Sequence, residues 1–410
     1  MELRAGYRQT EVGVIPGDWE VKKLGEIADI RSGGTPSTNQ QQFWDGNVLW
    51  CTPTDITSLN GHKYLRDTSR KITQIGLKNS SAEMIPANSI VMTSRATIGE
   101  CAINTPPVST NQGFKNFLPF DFVDVEFLYY LLLMQKRRFI SLCAGSTFLE
   151  IGKVQLNSFD LQLPTNKAEQ TAIATALSDV DALIQSLEKL IAKKRAIKQG
   201  AMQELLTPKE GWVLKKFKDK DVTELITCGI AATPEYVDEN IGVAFLSSTN
   251  VKNGKINWNN FKYISKDLHK QLYKNNPPLK GDILYSRVGT IGEAAIIDVD
   301  FEFSIYVSLT LIKKGNLINN EFLKQLLNSP KYKTLANNTV LMGGGVGNLN
   351  VNVVREFPIS FPSIDEQTRI ATILSDMDAE IAAMETKLAK YRQIKEGMMQ
   401  NLLTGRIRLV

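Results

Sequence analysis

The 410-residue sequence holds only two histidines, His62 and His269, in unrelated contexts. A serine–histidine relay or a histidine-based metal centre is therefore not expected. Its four cysteines, Cys51, Cys101, Cys143 and Cys228, form no Cys-x-x-Cys pair. That argues against a zinc site and a disulfide framework, and for a reducing compartment. No apolar run approaches the roughly 18 residues of a membrane span. The opening MELRAGYRQTEVG lacks the apolar core of a secretion signal. The expectation is a soluble, cytoplasmic protein with no membrane contact.

Nucleotide and methyl-transfer motifs are missing too. No GxxxxGK[ST] loop occurs, and no GxGxxG follows a strand-like run. Gly343-Gly344-Gly345-Val346-Gly347 comes near those patterns, but no helical run follows it. Asn276-Pro277-Pro278-Leu279 approaches the Asn-Pro-Pro-aromatic signature of adenine-N6 methyltransferases, yet Leu279 offers no ring to stack on a flipped base. It reads as a Pro-Pro turn, and Asp298/Asp300 reads as a solvated one. No catalytic residue, cofactor or metal is assigned. Neither sign of charge dominates: 48 basic against 43 acidic side chains leave +5, which permits nucleic-acid binding without requiring it.

What the sequence does have is a stretch written twice. Residues 169–209 and 366–406 align without a gap at an offset of 197, with 24 of 41 positions identical. Ile173, Leu177, Val180, Ile184, Leu187 and Ile191 step by four and three, as do Ile370, Leu374, Met377, Ile381, Met384 and Leu388. That spacing is a coiled-coil seam. Neither run contains an internal proline. Acids come early and bases late, which suits the helix dipole. A helix over 169–206 would be a rod of roughly 57 Å. Two such seams most simply cover each other as an intramolecular pair; if they run antiparallel, the globular parts lie at opposite ends of the rod.

The repeat extends beyond the helices. Pro16-Gly17-Asp18-Trp19 leads into VKKL, as Pro208-Lys209-Glu210-Gly211-Trp212 leads into VLKKF. The run TSRATIGECAIN (93–104) resembles YSRVGTIGEAAI (285–296), and FDLQLP and FPISFP form the two exits into the helices. The expected fold is α+β: two globular mixed α/β domains and two long antiparallel helices, related by a pseudo-two-fold internal repeat. The expected boundaries are 1–164 (with an extended N-terminal arm, 1–16), 165–207 for the first spacer helix, 208–362, and 363–410 for the second helix and tail. Short strands are read in 88–96 and 281–288, and amphipathic helices in 127–139 and 321–329.

Between these elements lie polar loops at 32–42, 109–113, 143–147, 247–255 and 342–348. Their Ser, Thr, Asn, Gln, Arg and Lys side chains are the types that read base edges and hold phosphates. The candidate DNA contacts are Arg31, Thr35, Ser94, Arg95, Asn111, Gln112 and Lys115 in the first half, and Thr249, Asn250, Lys252, Ser286 and Arg287 in the second. Where the halves agree, as at Arg95 and Arg287, the role must be common to both, so these lean toward backbone positioning or a structural ion pair. Where the loops diverge, each half is free to recognise something different.

The doubled run EQTxIATxLSDxDAxI…KxGxMQxLLT, with the opening Gly13–Leu24 and Gly33-Gly34-Thr35-Pro36, resembles the specificity subunits of type I restriction-modification systems. The second half departs from it, with Ile230-Ala231-Ala232-Thr233-Pro234 in place of Gly-Gly-Thr-Pro. The resemblance implies two target-recognition domains, each reading half of a split double-stranded DNA site. The helix pair would set the spacing and dock modification subunits, two by symmetry. Methyl transfer from S-adenosylmethionine to adenine, and cleavage, would belong to the modification and restriction subunits, leaving this chain non-catalytic. A methyltransferase centred on Asn276–Leu279 and a protein-binding coiled-coil scaffold are the competing readings.

Overall fold

A computed structural model describes residues 5–143, 149–343 and 346–409. Most of the 143–147 loop, and Gly344 and Gly345 of the 342–348 loop, lie outside them. The chain divides into two compact units, Met1–Leu187 with Lys387–Val410, and Glu188–Thr386. Each unit therefore combines one globular part with the first half of one long helix and the second half of the other.

In the first unit a five-stranded sheet runs, in spatial order, Ala28–Ser32, Phe114–Pro119, Ser89–Thr93, Cys101–Asn104 and Tyr64–Leu65. All neighbours are antiparallel except the last pair. A three-stranded sheet beside it orders Ser109–Thr110, Trp44–Cys51 and Arg70–Ile72. The helix Val125–Met134 starts where Asp124 accepts from the Glu126 and Phe127 amides, and it buries Phe127, Leu128, Tyr130 and Leu131 in the core. The second unit repeats the plan. Its sheet orders Thr223–Cys228, Leu309–Lys314, Ile283–Ser286 and Ala294–Ile296, and its smaller sheet orders Lys262–Ser265, Gly242–Leu246 and Ser304–Ile305. Its packing helix, Asn320–Leu327, is capped by Asn319.

The expected extended arm is instead a hairpin, Tyr7–Thr10 against Gly13–Pro16. The chain reverses at Glu11–Val12 and Gly13 follows at positive φ, while Gly6 accepts from the Gly17 amide at the open end (2.8 Å) and Arg8 donates to the Trp19 carbonyl at 2.7 Å. Asn276–Leu279 forms the turn between the helix Lys266–Asn275 and the strand Ile283–Ser286, where the Leu279 amide donates to Asp282 at 2.9 Å.

The repeated stretches are uninterrupted helices of 39 residues, Lys167–Leu205 and Ile364–Leu402. An equivalent glutamine fastens each to its own globular part. Gln170 accepts from the Asp124 amide (2.9 Å) and donates to the Phe122 and Pro164 carbonyls. Gln367 accepts from the Asn319 amide (2.9 Å) and donates to the Leu317 and Pro362 carbonyls. Both glutamines are buried, so these bonds replace the water they have lost.

Of the seam residues, Leu187, Met377 and Met384 are half-buried and the rest are buried. Ile173 and Leu177, like Ile370 and Leu374, are members of the globular cores as well as of the seam. Each fully buried aliphatic side chain contributes about 2 kcal/mol. Within each unit the two helices run antiparallel, and this sets the acid-rich start of one beside the base-rich end of the other. Asp181 pairs with Lys395 at 2.6 Å in the first unit, and Asp378 with Lys198 at 2.6 Å in the second. These are the same bridge written twice, 197 residues apart. Asp181 also accepts from Tyr130 (2.7 Å) and Asp378 from Gln325 (2.9 Å), so each carboxylate ties both helices to the globular part.

Candidate nucleic-acid interface

Strand register decides which loops meet. In the first unit Lys115 lies opposite Ser32 and Phe114 opposite Thr93. The loops 32–42, 94–98 and 109–113 therefore emerge at one end of the larger sheet. The Gly34 amide donates to the Thr110 carbonyl at 2.8 Å, the Ser94 amide to the Gly113 carbonyl at 2.7 Å, and the Thr35 hydroxyl to the Gln112 side-chain oxygen. Trp50 and Trp44, missed in the sequence, hold the first loop down by donating to the Gly34 (3.0 Å) and Ser37 (3.1 Å) carbonyls. Strand alternation could not have signalled them, because the strand is irregular between Trp44 and Val48; the two rings meet edge to face at 5.0 Å.

In the second unit Cys228 lies opposite Thr310 and Ser286 opposite Leu309, so the loops 229–234, 247–252 and 287–292 meet at the corresponding end. The Gly229 amide donates to the Leu309 carbonyl (3.3 Å), the Arg287 amide to the Ser308 carbonyl (3.0 Å) and the Ser248 amide to the Ser308 hydroxyl (3.0 Å). All twelve candidate residues thus fall at two equivalent loop clusters.

Burial separates them. Ser94 and Ser286 are fully buried, and the Ser286 hydroxyl donates to the Thr290 carbonyl and accepts from the Glu293 amide. Asn250 is buried and donates to the Asn257 and Asn260 carbonyls. Arg287 is buried on the Leu349 carbonyl and the Asn348 side chain, each at 2.9 Å, and Lys115 is buried 3.4 Å from Glu150. These five of the expected contacts are buried against the ends of the sheets rather than turned to solvent. Where strands end, unpaired backbone groups need partners, and Ser286, Asn250 and Arg287 supply them, whereas Lys115 meets a carboxylate.

Arg31 is more exposed but pairs with Asp29 (2.8 Å) and Glu83 (2.6 Å); the Asp29 hydrogen bond raises its pKa further. Arg95 pairs with Glu150 at 2.7 Å. Burial pushes the Glu150 carboxyl up, but Arg95 and Lys115 outweigh it and hold its pKa below the ordinary value. Arg95 and Arg287 thus brace the same returning strand segment, 149–151 in one unit and 348–349 in the other. Of the rest, Gln112, Thr249 and Lys252 are exposed, while Thr35 and Asn111 are half-buried. Asn111 spends its side-chain oxygen on the Gly113 amide at 2.9 Å. Among the described residues no cluster of His, Cys, Asp and Glu has metal-ligand spacing, and no helix is long and apolar enough to cross a membrane.

Known proteins share this plan. Residues 16–198 and 210–392 each match the type I restriction modification DNA specificity domain. The type I restriction enzyme MjaIX specificity subunit of Methanocaldococcus jannaschii is 26% identical over 437 residues, covering 98% of this chain and 96% of its own. The EcoR124I/EcoR124II specificity subunit of Escherichia coli is 28% identical over 200 residues, 47% of this chain and 48% of its own. The crystal structure of a type I restriction-modification S subunit from M. genitalium superposes with a TM-score of 0.59 at 15% identity, over 98% of both chains. A chain from a structure of type I R-M complex assembly gives 0.63 at 16%, over 96% of this chain and 99% of that one. With the family domain matched twice over most of its length, the chain belongs to the type I restriction modification DNA specificity family.

Proposed function

We propose that the chain is the non-catalytic specificity subunit of a type I restriction-modification complex, with each unit reading one half of a bipartite duplex DNA site. The observation that carries this is the gathering of divergent polar loops at equivalent sheet ends of two units built on one plan. The residues proposed to face DNA are Thr35, Asn111, Gln112, Thr249 and Lys252, with Arg31 and Arg95 at the margin. Modification subunits, two in number, dock on the repeated helices and carry out methyl transfer to adenine; restriction subunits join through the complex. The test is a methylome of a host expressing this chain with its modification subunit. A bipartite motif is expected, and exchanging 32–62 or 109–116 should alter only one of its halves. A change in both halves, or S-adenosylmethionine binding by this chain alone, would contradict the proposal.

The helix pair acts in this reading as a ruler. Inserting seven residues into each long helix, in register with the seam, adds about 10 Å. At 3.4 Å per base pair, the unread gap in the methylated motif should lengthen by about 3 base pairs. An unchanged gap in a complex that still methylates would remove the ruler role.

A further inference from the structure

The arginines that stand out in the sequence are all engaged, by carboxylates or by backbone; Arg70 is not. It lies exposed on the short strand Arg70–Ile72, its guanidinium 4.1 Å from the Trp44 ring centre and 5.2 Å from that of Trp50. Among the described residues no carboxylate pairs with it. The same two indoles hold the 34–37 loop, so this cation borders the loop cluster of its unit.

The second unit repeats the arrangement with different residues. In the first unit Trp50 pairs with Arg70 on one side and, in parallel, with Ser109 on the other. In the second, Phe245 pairs with Lys262 on one side and, in parallel, with Ser304 on the other. Arg70 and Lys262 therefore occupy the same position of the same small sheet. Lys262 is exposed as well, has no carboxylate partner among the described residues, and places its Nζ 4.0 Å from the ring centre of Tyr236. Tyr236 is itself 39% exposed and lies 6.4 Å from the Phe245 ring. Twice, the fold sets an uncompensated cation on an aromatic face beside the loop cluster.

We infer that Arg70 and Lys262 are equivalent contacts to DNA phosphates, one in each unit; this rests on the DNA-reading function proposed above. An aromatic face holds a cation in place without neutralising it, so the charge stays available to an anion. A carboxylate, as at Arg31 and Arg95, would cancel it. The change from guanidinium to ammonium selects the kind of anion. The guanine edge favours a planar fork, whereas a phosphate accepts either cation. A role common to both units and indifferent to this exchange is backbone positioning rather than base reading.

The test is salt-dependent binding of the full complex, with modification subunits, to a duplex carrying its methylated motif and to a scrambled duplex. Wild-type complex that binds neither duplex would overturn the proposed function itself. Given binding, Arg70→Met and Lys262→Met should each lower the slope of log K against log salt by about 0.9, and the double variant by about twice that. Both duplexes should weaken by the same factor, and the methylated motif should not change. Arg70→Lys and Lys262→Arg should keep the wild-type slope. Methionine still covers the rings, so if these cations serve only packing, the slope will stay at its wild-type value and the inference fails. A motif relaxed at one base would equally overturn it, by assigning the cation to a base edge.

Discussion

Gly33→Ala is expected to abolish reading of one half-site while leaving the other intact, and Gly229→Ala is expected to do the reverse. At each position a Cβ would lie well under 3.0 Å from a backbone carbonyl oxygen, that of Asn111 in the first unit and that of Ile305 in the second. The colliding atoms are main chain, fixed by the ladders Ser109–Thr110/Trp44–Cys51 and Ser304–Ile305/Gly242–Leu246, so no rotamer change relieves them. The Gly33 amide donates to the Phe114 carbonyl, as that of Gly229 does to Leu309, both at 3.3 Å, and opening the gap would break that bond as well. Overpacking of this kind costs about 3 kcal/mol. The loop end of the sheet should give way first, because the collision falls there. In a methylome, each variant should lose methylation of the full bipartite motif. Footprinting of the complex should retain protection over the half-site of the unaltered unit. Wild-type methylation by either variant would show that the loop accommodates a side chain there.

That pair of glycines also measures what the sequence disclosed. The long helices were legible because helical periodicity and a 197-residue offset are local, one-dimensional signals; the first, read over 169–206, spans Lys167–Leu205, and the second, read within 363–410, spans Ile364–Leu402. The glycine before each loop was visible as a letter, but its partner carbonyls, 76 to 81 residues away, were not. Ser94 and Ser286 carried the right chemistry for a DNA contact. Whether a polar side chain at a strand end faces solvent or closes a turn depends on the packing above it, and here it is buried. Arg70 and Lys262 escaped notice for a different reason. They stand 192 residues apart, not 197, because the intervening loops differ in length, and they are different residues. Only strand register, which counts pairs rather than positions, reveals them as one site. The N-terminal hairpin was missed because its strands are only four residues long and the first is polar, and what holds it is distant: the Trp19 and Gly405 carbonyls and the core that buries Ile15.

Arg408→Met should destabilise the first unit by about 3 kcal/mol, whereas neutralising Glu366 in the second unit should be almost silent. The contrast comes from one repeated glutamate in two settings. Glu169 is 2% exposed and accepts from the Trp19 indole at 3.2 Å. Its countercharge is Arg408, which reaches it with both Nε and Nη2 and spans to Asp18 at 2.8 Å. That hydrogen bond to Glu169, then the one to Asp18, drives the guanidinium pKa up, and Arg408 in turn lowers that of Asp18. In the second helix the position three residues after the glutamate is Arg369 rather than Ala172, and it satisfies Glu366 locally, at 2.6 Å, in solvent. Arg408 accordingly has no counterpart there: 197 residues earlier the chain has Gly211. Removing one partner of a buried pair leaves an uncompensated charge, at about 3–5 kcal/mol, and partial exposure of Arg408 argues for the lower end. A pair in solvent is screened by water and adds little. For a unit of this size the melting point should fall by about 6–12 °C in Arg408→Met and by under about 2 °C in Glu366→Gln. Adding Glu169→Gln to Arg408→Met removes the stranded charge and should recover a substantial part of the loss, since the amide oxygen still accepts from Trp19. Equal melting points for Arg408→Met and wild type, or no recovery in the double variant, would mean that water reaches Glu169 and that the tail is not what closes the first unit.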